Sequence, residues 1–226
     1  GDNDFLLVYG DVVVSPAAIK RVLGTYRKMG HKPTVGLVPV SRPESYGMAR
    51  ISGQLITEIV EKPRPSASPS DLANTGIYVL KPTIFDCLDA TTRSERGELE
   101  LTDAISALAR GGTAVTWARV DPSDWRDIGR PWDLLSANAN MLAWTKRLVS
   151  GKIERSVTIS GRVTIEKGAT VRTGTVIEGP AWIGKDSILG PFAHIRPATS
   201  IGKEAVIGNF CEIKNSIIMH RTHIHH

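Results

Sequence analysis

The apolar positions follow two different rules along this chain. In the first part, short apolar runs alternate with amphipathic stretches. Phe5, Leu6, Leu7, Val8 and Tyr9 predict a short buried strand. Ser15 and Pro16 then open a helix whose Ile19, Val22, Leu23 and Tyr26 share one face, and Gly30 closes it. β-branched and apolar runs predict strands over residues 34–40, 48–51, 55–60, 76–80 and 114–120, with helices over 82–89 and 102–109. Alternation of this kind implies an α/β layer architecture. Residues 64–71, rich in Pro and Ser, read as an exposed loop.

Residues 131–148 are compatible with a helix, with Pro131 at its start and Gly151 just past its end, and residues 131–150 are expected to connect two domains. Beyond them the rule changes. Ile159, Ile165, Val171, Ile177, Ile183, Leu189, Ile195, Ile201, Ile207, Ile213 and Met219 recur at every sixth position, with mostly small residues two places before each. No helix or ordinary strand has this period. It predicts flat sides that each send an aliphatic inward, stacked as the coils of a parallel β-helix. Gly184, Gly190, Gly202 and Gly208, each following an aliphatic, are expected to supply the φ freedom of its turns. The expected division is 1–130, 131–150 and 151–226.

Composition narrows the function only by exclusion. The net charge is +5, but Lys and Arg are interspersed with acids rather than gathered into a stripe with aromatics, which argues against a nucleic-acid partner. The apolar runs are far too short to span a bilayer and no signal pattern opens the chain, so a cytoplasmic protein without a membrane partner is expected. Cys87 and Cys211 lie far apart, without metal-site spacing, and are expected to be reduced.

Isolated acids stand where strands meet loops: Asp11 after the first strand, Glu61 beside Lys62, and Asp127 after Trp125 and Arg126. Between them lie the segments 73–78, with Asn74, and 97–103, with Glu98. In order and spacing these five motifs resemble the sugar-1-phosphate nucleotidylyltransferases. The resemblance implies a Rossmann-like nucleotidyltransferase domain in which a sugar 1-phosphate oxygen attacks the α-phosphorus of a nucleoside triphosphate, releasing pyrophosphate. Such chemistry needs charge neutralisation rather than a covalent catalyst. By the same resemblance Asp11 and Asp127 hold Mg²⁺, Glu61 accepts from sugar hydroxyls and Lys62 contacts the sugar phosphate. Gly47 and Asn74 line the sugar pocket, with Glu98 as a further candidate. The family's Gly-rich phosphate loop precedes the strand that ends near Asp11. The domain is therefore expected to be truncated N-terminally, and the chain as given is expected not to form a nucleotide sugar.

In the repeat region, Arg196, Lys214 and His226 have spacings similar to those of the bifunctional enzymes that join a uridylyltransferase to a glucosamine-1-phosphate acetyltransferase, the archaeal members above all. This resemblance implies a left-handed β-helix, truncated C-terminally, that assembles as a homotrimer or higher oligomer. Arg196 and Lys214 would grip the phosphate of an amino-sugar acceptor, and His226 would be the general base toward acetyl-CoA. Their separation of eighteen residues is one coil of three six-residue sides, so the two cations are expected to stack. Two other readings stay open: nucleotidyl transfer alone with an assembly β-helix, as in ADP-glucose or GDP-mannose pyrophosphorylases, or a non-catalytic regulatory subunit of the same build.

Overall fold

The computed structural model describes residues 3–94 and 97–226, and the chain divides into two compact units between Asp127 and Ile128. In the first, the elements are β1 (Phe5–Val8), β2 (Val12–Val14), α1 (Pro16–Lys28), β3 (Thr34–Pro39), β4 (Gly47–Ser52) and β5 (Leu55–Glu61). They are followed by β6 (Leu72–Leu80), α2 (Ile84–Asp89), α3 (Leu101–Arg110), β7 (Thr116–Arg119) and β8 (Trp125–Asp127). The sheet order is β1-β6-β3-β7-β5-β4, mostly antiparallel with β3 and β7 parallel, while β2 and β8 form a separate antiparallel ribbon.

The pleat sorts β6 between two cores. Leu72, Tyr78 and Leu80 pack with Ala104, Ile105 and Leu108 of α3, whereas Ala73, Ile77 and Val79 pack with Ala18 and Val22 of α1. Helices thus cover both faces of one sheet, the expected α/β layering. α1 starts where Ser15 accepts a hydrogen bond from the Ala18 amide at 3.2 Å, with Pro16 at the first position. The first strand differs from expectation. β1 is not buried but a sheet edge paired only with β6, and Leu6 and Val8 are 42% and 36% exposed. Its apolar run reads as core because period alone cannot report how many neighbours a strand has.

The second unit opens with α4 (Pro131–Trp144). The helix is shorter than expected: Thr145 turns to φ −71°, ψ 152°, and Leu148–Val149 is already a strand of the β-helix. α4 lies on the coils, where the Asn138 amide donates to the Ala198 carbonyl at 3.0 Å and accepts from the Ser200 hydroxyl. The coils form three parallel sheets. Ile165, Ile183 and Ile201 stack on one side, Val171, Leu189 and Ile207 on the second, and Ile177, Ile195 and Ile213 on the third. Ala169, Ala181, Ala193 and Ala205, two residues before these aliphatics, are buried beside them.

Two expectations are corrected here. Of the four glycines, only Gly190 has positive φ; the corners turn instead on Asp186, Phe192, Ala198, Glu204 and Phe210, with φ of 55–62°. Gly184 and Gly202 serve close approach, since a Cβ on them would meet the next coil's backbone at 2.7 and 2.6 Å. The second correction is at Met219, which is 65% exposed; Ile218 pairs with Ile201 and fills the column instead. The last coil is one residue short, because two residues, Pro197 and Ala198, separate Arg196 from Thr199 where Asn215 alone separates Lys214 from Ser216, so that Ser200 stands beside Ile217. The run Ile217, Ile218, Met219 offers an aliphatic in any of three registers, so the period could not locate the slip.

Candidate active site

Strand register brings three of the expected residues into one row. Gly47 pairs with Glu61 across β4 and β5, and because Met48 pairs with Ala73, Gly47 also stands opposite Asn74 of β6. Gly47 is tightly enclosed: a Cβ there would lie 2.7 Å from Glu61 Oε2 and 3.3 Å from Thr102 Cγ2. Thr102, in the first turn of α3, donates to the same Glu61 oxygen at 3.3 Å. Glycine at this position therefore leaves the carboxylate its place in the pocket wall.

Asn74 is oriented from behind. Its Oδ1 accepts from the Gly76 amide at 3.1 Å, and its Nδ2 donates to the Tyr78 hydroxyl, which donates to Tyr9 Oη at 2.9 Å. Gly76 has φ +74°, and a Cβ on it would strike the Tyr9 ring, so the strand bends to admit that ring. Burial pushes the Tyr78 hydroxyl well above the ordinary tyrosine range, with Tyr9 and Glu61 adding to the rise. Burial also raises Tyr9, and Glu61 contributes. Both phenols are thus protonated donors at neutral pH, beside a carboxylate that accepts.

The ribbon of β2 and β8 places the acids. Asp127 pairs with Val12, the residue after Asp11. Trp125 fixes the ribbon to the Asn74 segment, its indole N–H donating to the Thr75 carbonyl at 2.8 Å while its ring meets Tyr46 edge to face. Asp11 is exposed and Asp127 half-buried. Among the described residues no group of three or more His, Cys, Asp or Glu side chains is arranged to hold a metal. A pair of carboxylates from opposed strands suits Mg²⁺, which keeps several waters and takes further oxygens from phosphates, better than an all-protein cage.

Lys62 has φ 43° and is exposed, its amide donating to the Tyr46 carbonyl at 3.0 Å. Glu98 lies on the exposed approach to α3, its carbonyl accepting from the Ser94 amide at 2.8 Å, and is not part of the Gly47 row. Sequence reasoning did not single out Tyr9, Tyr78, Thr102 or Trp125. The signal was the even spacing of Asn74 and Tyr78, which puts both on one face of a strand.

In the second unit, Ile195 pairs with Ile213, so Arg196 and Lys214 stack one coil apart as expected. Arg196 is held by acids: Nη1 donates to Glu212 Oε1 at 2.9 Å, and Nε lies 4.0 Å from Glu178, too long for a hydrogen bond. Glu178 also meets His194 Nε2 at 3.1 Å. The Arg196 hydrogen bond, aided by the charges of Arg196, His194 and Lys214, holds the Glu212 carboxyl below the usual range. His226 is exposed. With the short coil, the Gly208 amide donates to the Ile224 carbonyl, so His226 stands over Asn209 rather than over Gly208, where an unbroken six-residue period would put it.

The Nucleotidyl transferase family matches residues 1–143, the span that holds the Gly47–Glu61–Asn74 row and both strand-end acids. The chain belongs to that family. Bacterial transferase hexapeptide repeats match residues 180–215. Among the most similar proteins is the bifunctional protein GlmU of Methanococcus vannielii, 39% identical over 229 residues, covering 99% of this chain and 53% of that protein. Another is the bifunctional sugar-1-phosphate nucleotidylyltransferase/acetyltransferase of Sulfurisphaera tokodaii, 37% identical, covering 100% of this chain and 55% of that protein. The chain thus spans about half the length of the curated relatives it matches. Of solved structures, a UTP-bound UGPase from Acinetobacter baumannii is 27% identical with a TM-score of 0.52, covering 61% of this chain and 50% of that one. A UDP-glucose pyrophosphorylase complexed with UDP-glucose is 26% identical with a TM-score of 0.55, covering 61% and 55%. No helix among the described residues is long and apolar enough to cross a membrane.

Proposed function

We propose that this chain carries the sugar-phosphate pocket of an enzyme that transfers a nucleotidyl group from a nucleoside triphosphate to a sugar 1-phosphate. The observation that carries the reading is the Gly47, Glu61 and Asn74 row with Tyr9 behind it. Glu61 accepts from sugar hydroxyls, Asn74 and Tyr9 donate, and Lys62 meets the phosphate as a point charge. Asp11 and Asp127 are the residues that would hold Mg²⁺, which when bound neutralises charge on the phosphates. The test is calorimetric titration of glucose 1-phosphate and N-acetylglucosamine 1-phosphate into the chain. Saturable binding abolished by Glu61→Gln supports the reading, and binding indifferent to that change overturns it.

Acetyl transfer from acetyl-CoA to an amino-sugar 1-phosphate is proposed as the second activity of the polypeptide that carries this chain, in the cytoplasm where these substrates occur. Stacking of Arg196 on Lys214 supports it, since paired cations suit one phosphate. His226 would take the proton from the attacking amine. A homotrimer is the proposed assembly, tested by sedimentation at tens of micromolar; a strict monomer would count against it.

A further inference from the structure

At one corner of the β-helix, between the side that carries Ile201 and the side that carries Ile207, one residue per coil takes a left-handed conformation: Gly168, Asp186, Glu204 and Arg221. The residues just before them are Lys167, Lys185, Lys203 and His220. Two coils balance their charge locally, with Lys185 Nζ 3.8 Å from Asp186 and Lys203 Nζ 3.0 Å from Glu204. The next coil breaks the rule, because the acid is replaced by Arg221. Among the described residues no carboxylate lies within ion-pair distance of its guanidinium.

Lys203, Glu204, His220 and Arg221 line a cavity of about 220 Å³. His220 is a defined donor there. Its Nδ1 accepts the Lys203 amide at 2.9 Å, so the proton of the neutral ring is on Nε2. Gly202 permits this, since a Cβ on it would lie 2.7 Å from His220 Nδ1. The charges around the cavity are Lys203, Arg221 and, one coil away, Lys185, against the carboxylate of Glu204 and the more distant Asp186. The donors therefore outnumber the acceptors, and Arg221, whose charge helps Lys203 hold the Glu204 carboxyl below its usual range, presents a planar guanidinium that matches a phosphoryl group in two-point fashion. The space is smaller than the ~300–1,000 Å³ of sites that enclose drug-sized ligands, so it suits a phosphoryl group rather than a whole nucleotide.

We infer that this corner is an anion site that takes a phosphoryl group, gripped by Arg221, Lys203 and His220 Nε2–H, and separate from the Arg196–Lys214 column. Glu204 acts in it as a competitor: it occupies Lys203 when the anion is absent and is displaced when the anion binds.

The test is calorimetric titration of inorganic phosphate into the whole chain carrying Arg196→Gln, which weakens any phosphate held on the other column, and Glu61→Gln, which removes sugar 1-phosphate binding at the Gly47 row. Pyrophosphate and glucosamine 1-phosphate are titrated in parallel arms. Saturable binding in the first arm is expected. Arg221→Gln should weaken it by about tenfold or more, as for a lost charge-assisted contact. Glu204→Gln should tighten it several-fold, a change of opposite sign that unfolding cannot mimic. Comparable affinity in all arms identifies the phosphoryl group itself as the ligand, whereas a gain confined to pyrophosphate assigns the site to that product. Absence of saturable heat in every arm, or an affinity indifferent to Arg221→Gln in a chain with unchanged circular dichroism, overturns the inference.

Discussion

Replacing Tyr78 by Phe removes one oxygen from the Asn74–Tyr78–Tyr9 chain and leaves a buried amide donor without that partner. The expected cost is about 1–3 kcal/mol of stability, read from urea unfolding. Weaker sugar 1-phosphate binding should accompany it, because Asn74 is then free to turn. Gly47→Ala probes the same wall from the front. Its methyl would crowd Glu61 Oε2 at 2.7 Å, so binding should fall well below the parent's while the melting temperature changes little. That Gly47, Glu61 and Asn74 fall in one row was legible because each interrupts a strand pattern in a recognisable motif. The tyrosines were not, since a tyrosine in a strand looks like core until its hydroxyl is seen to have a partner.

Among elements, the β-helix was the most legible, and it failed where its own rule is degenerate. Eighteen-residue coils follow from the six-residue period, but three adjacent aliphatics hid the short coil at Ile218. Ile183, fully buried in the column, should cost about 2–5 kcal/mol when cut to Ala, measured by denaturant. Carboxylates satisfy donors that the coils leave over: Glu154 accepts the Thr173 amide at 2.9 Å, and Glu212 accepts from Arg196. The Thr173 amide bond is the main cause that holds Glu154 below the usual carboxyl range. A depressed folded-state value means the contribution is complete above the unfolded value of about 4.3 and is lost as pH falls through the folded one. Melting curves of the parent and of Glu154→Gln should therefore differ at pH 6 and converge toward pH 3. A gap that persists at the acid end would assign the effect to something other than ionisation. β1 shows the opposite failure: its local pattern is that of a central strand, and only the topology made it an edge.

For the whole molecule, the two proposed activities predict separable defects. In a polypeptide that extends this chain to the length of its curated relatives, Asp11→Asn or Asp127→Asn should lower nucleotidyl transfer by about 10²- to 10³-fold, as for other lost electrostatic contacts. His226→Ala should leave that rate nearly intact and cut acetyl transfer by at least about 10²-fold, the lower range for a general base. Damage from His225→Ala instead would move the base by one position. The inward columns carry the packing of the β-helix, and the outward positions carry almost none of it. Arg196 and Lys214, or Lys185 and Lys203, are graduations on a ruler whose interval is the strand spacing of about 4.8 Å. Mutation can rewrite what stands at each mark without shifting the scale, so new pairings of charge at a fixed, phosphate-sized interval lie one substitution away along any side of this rod.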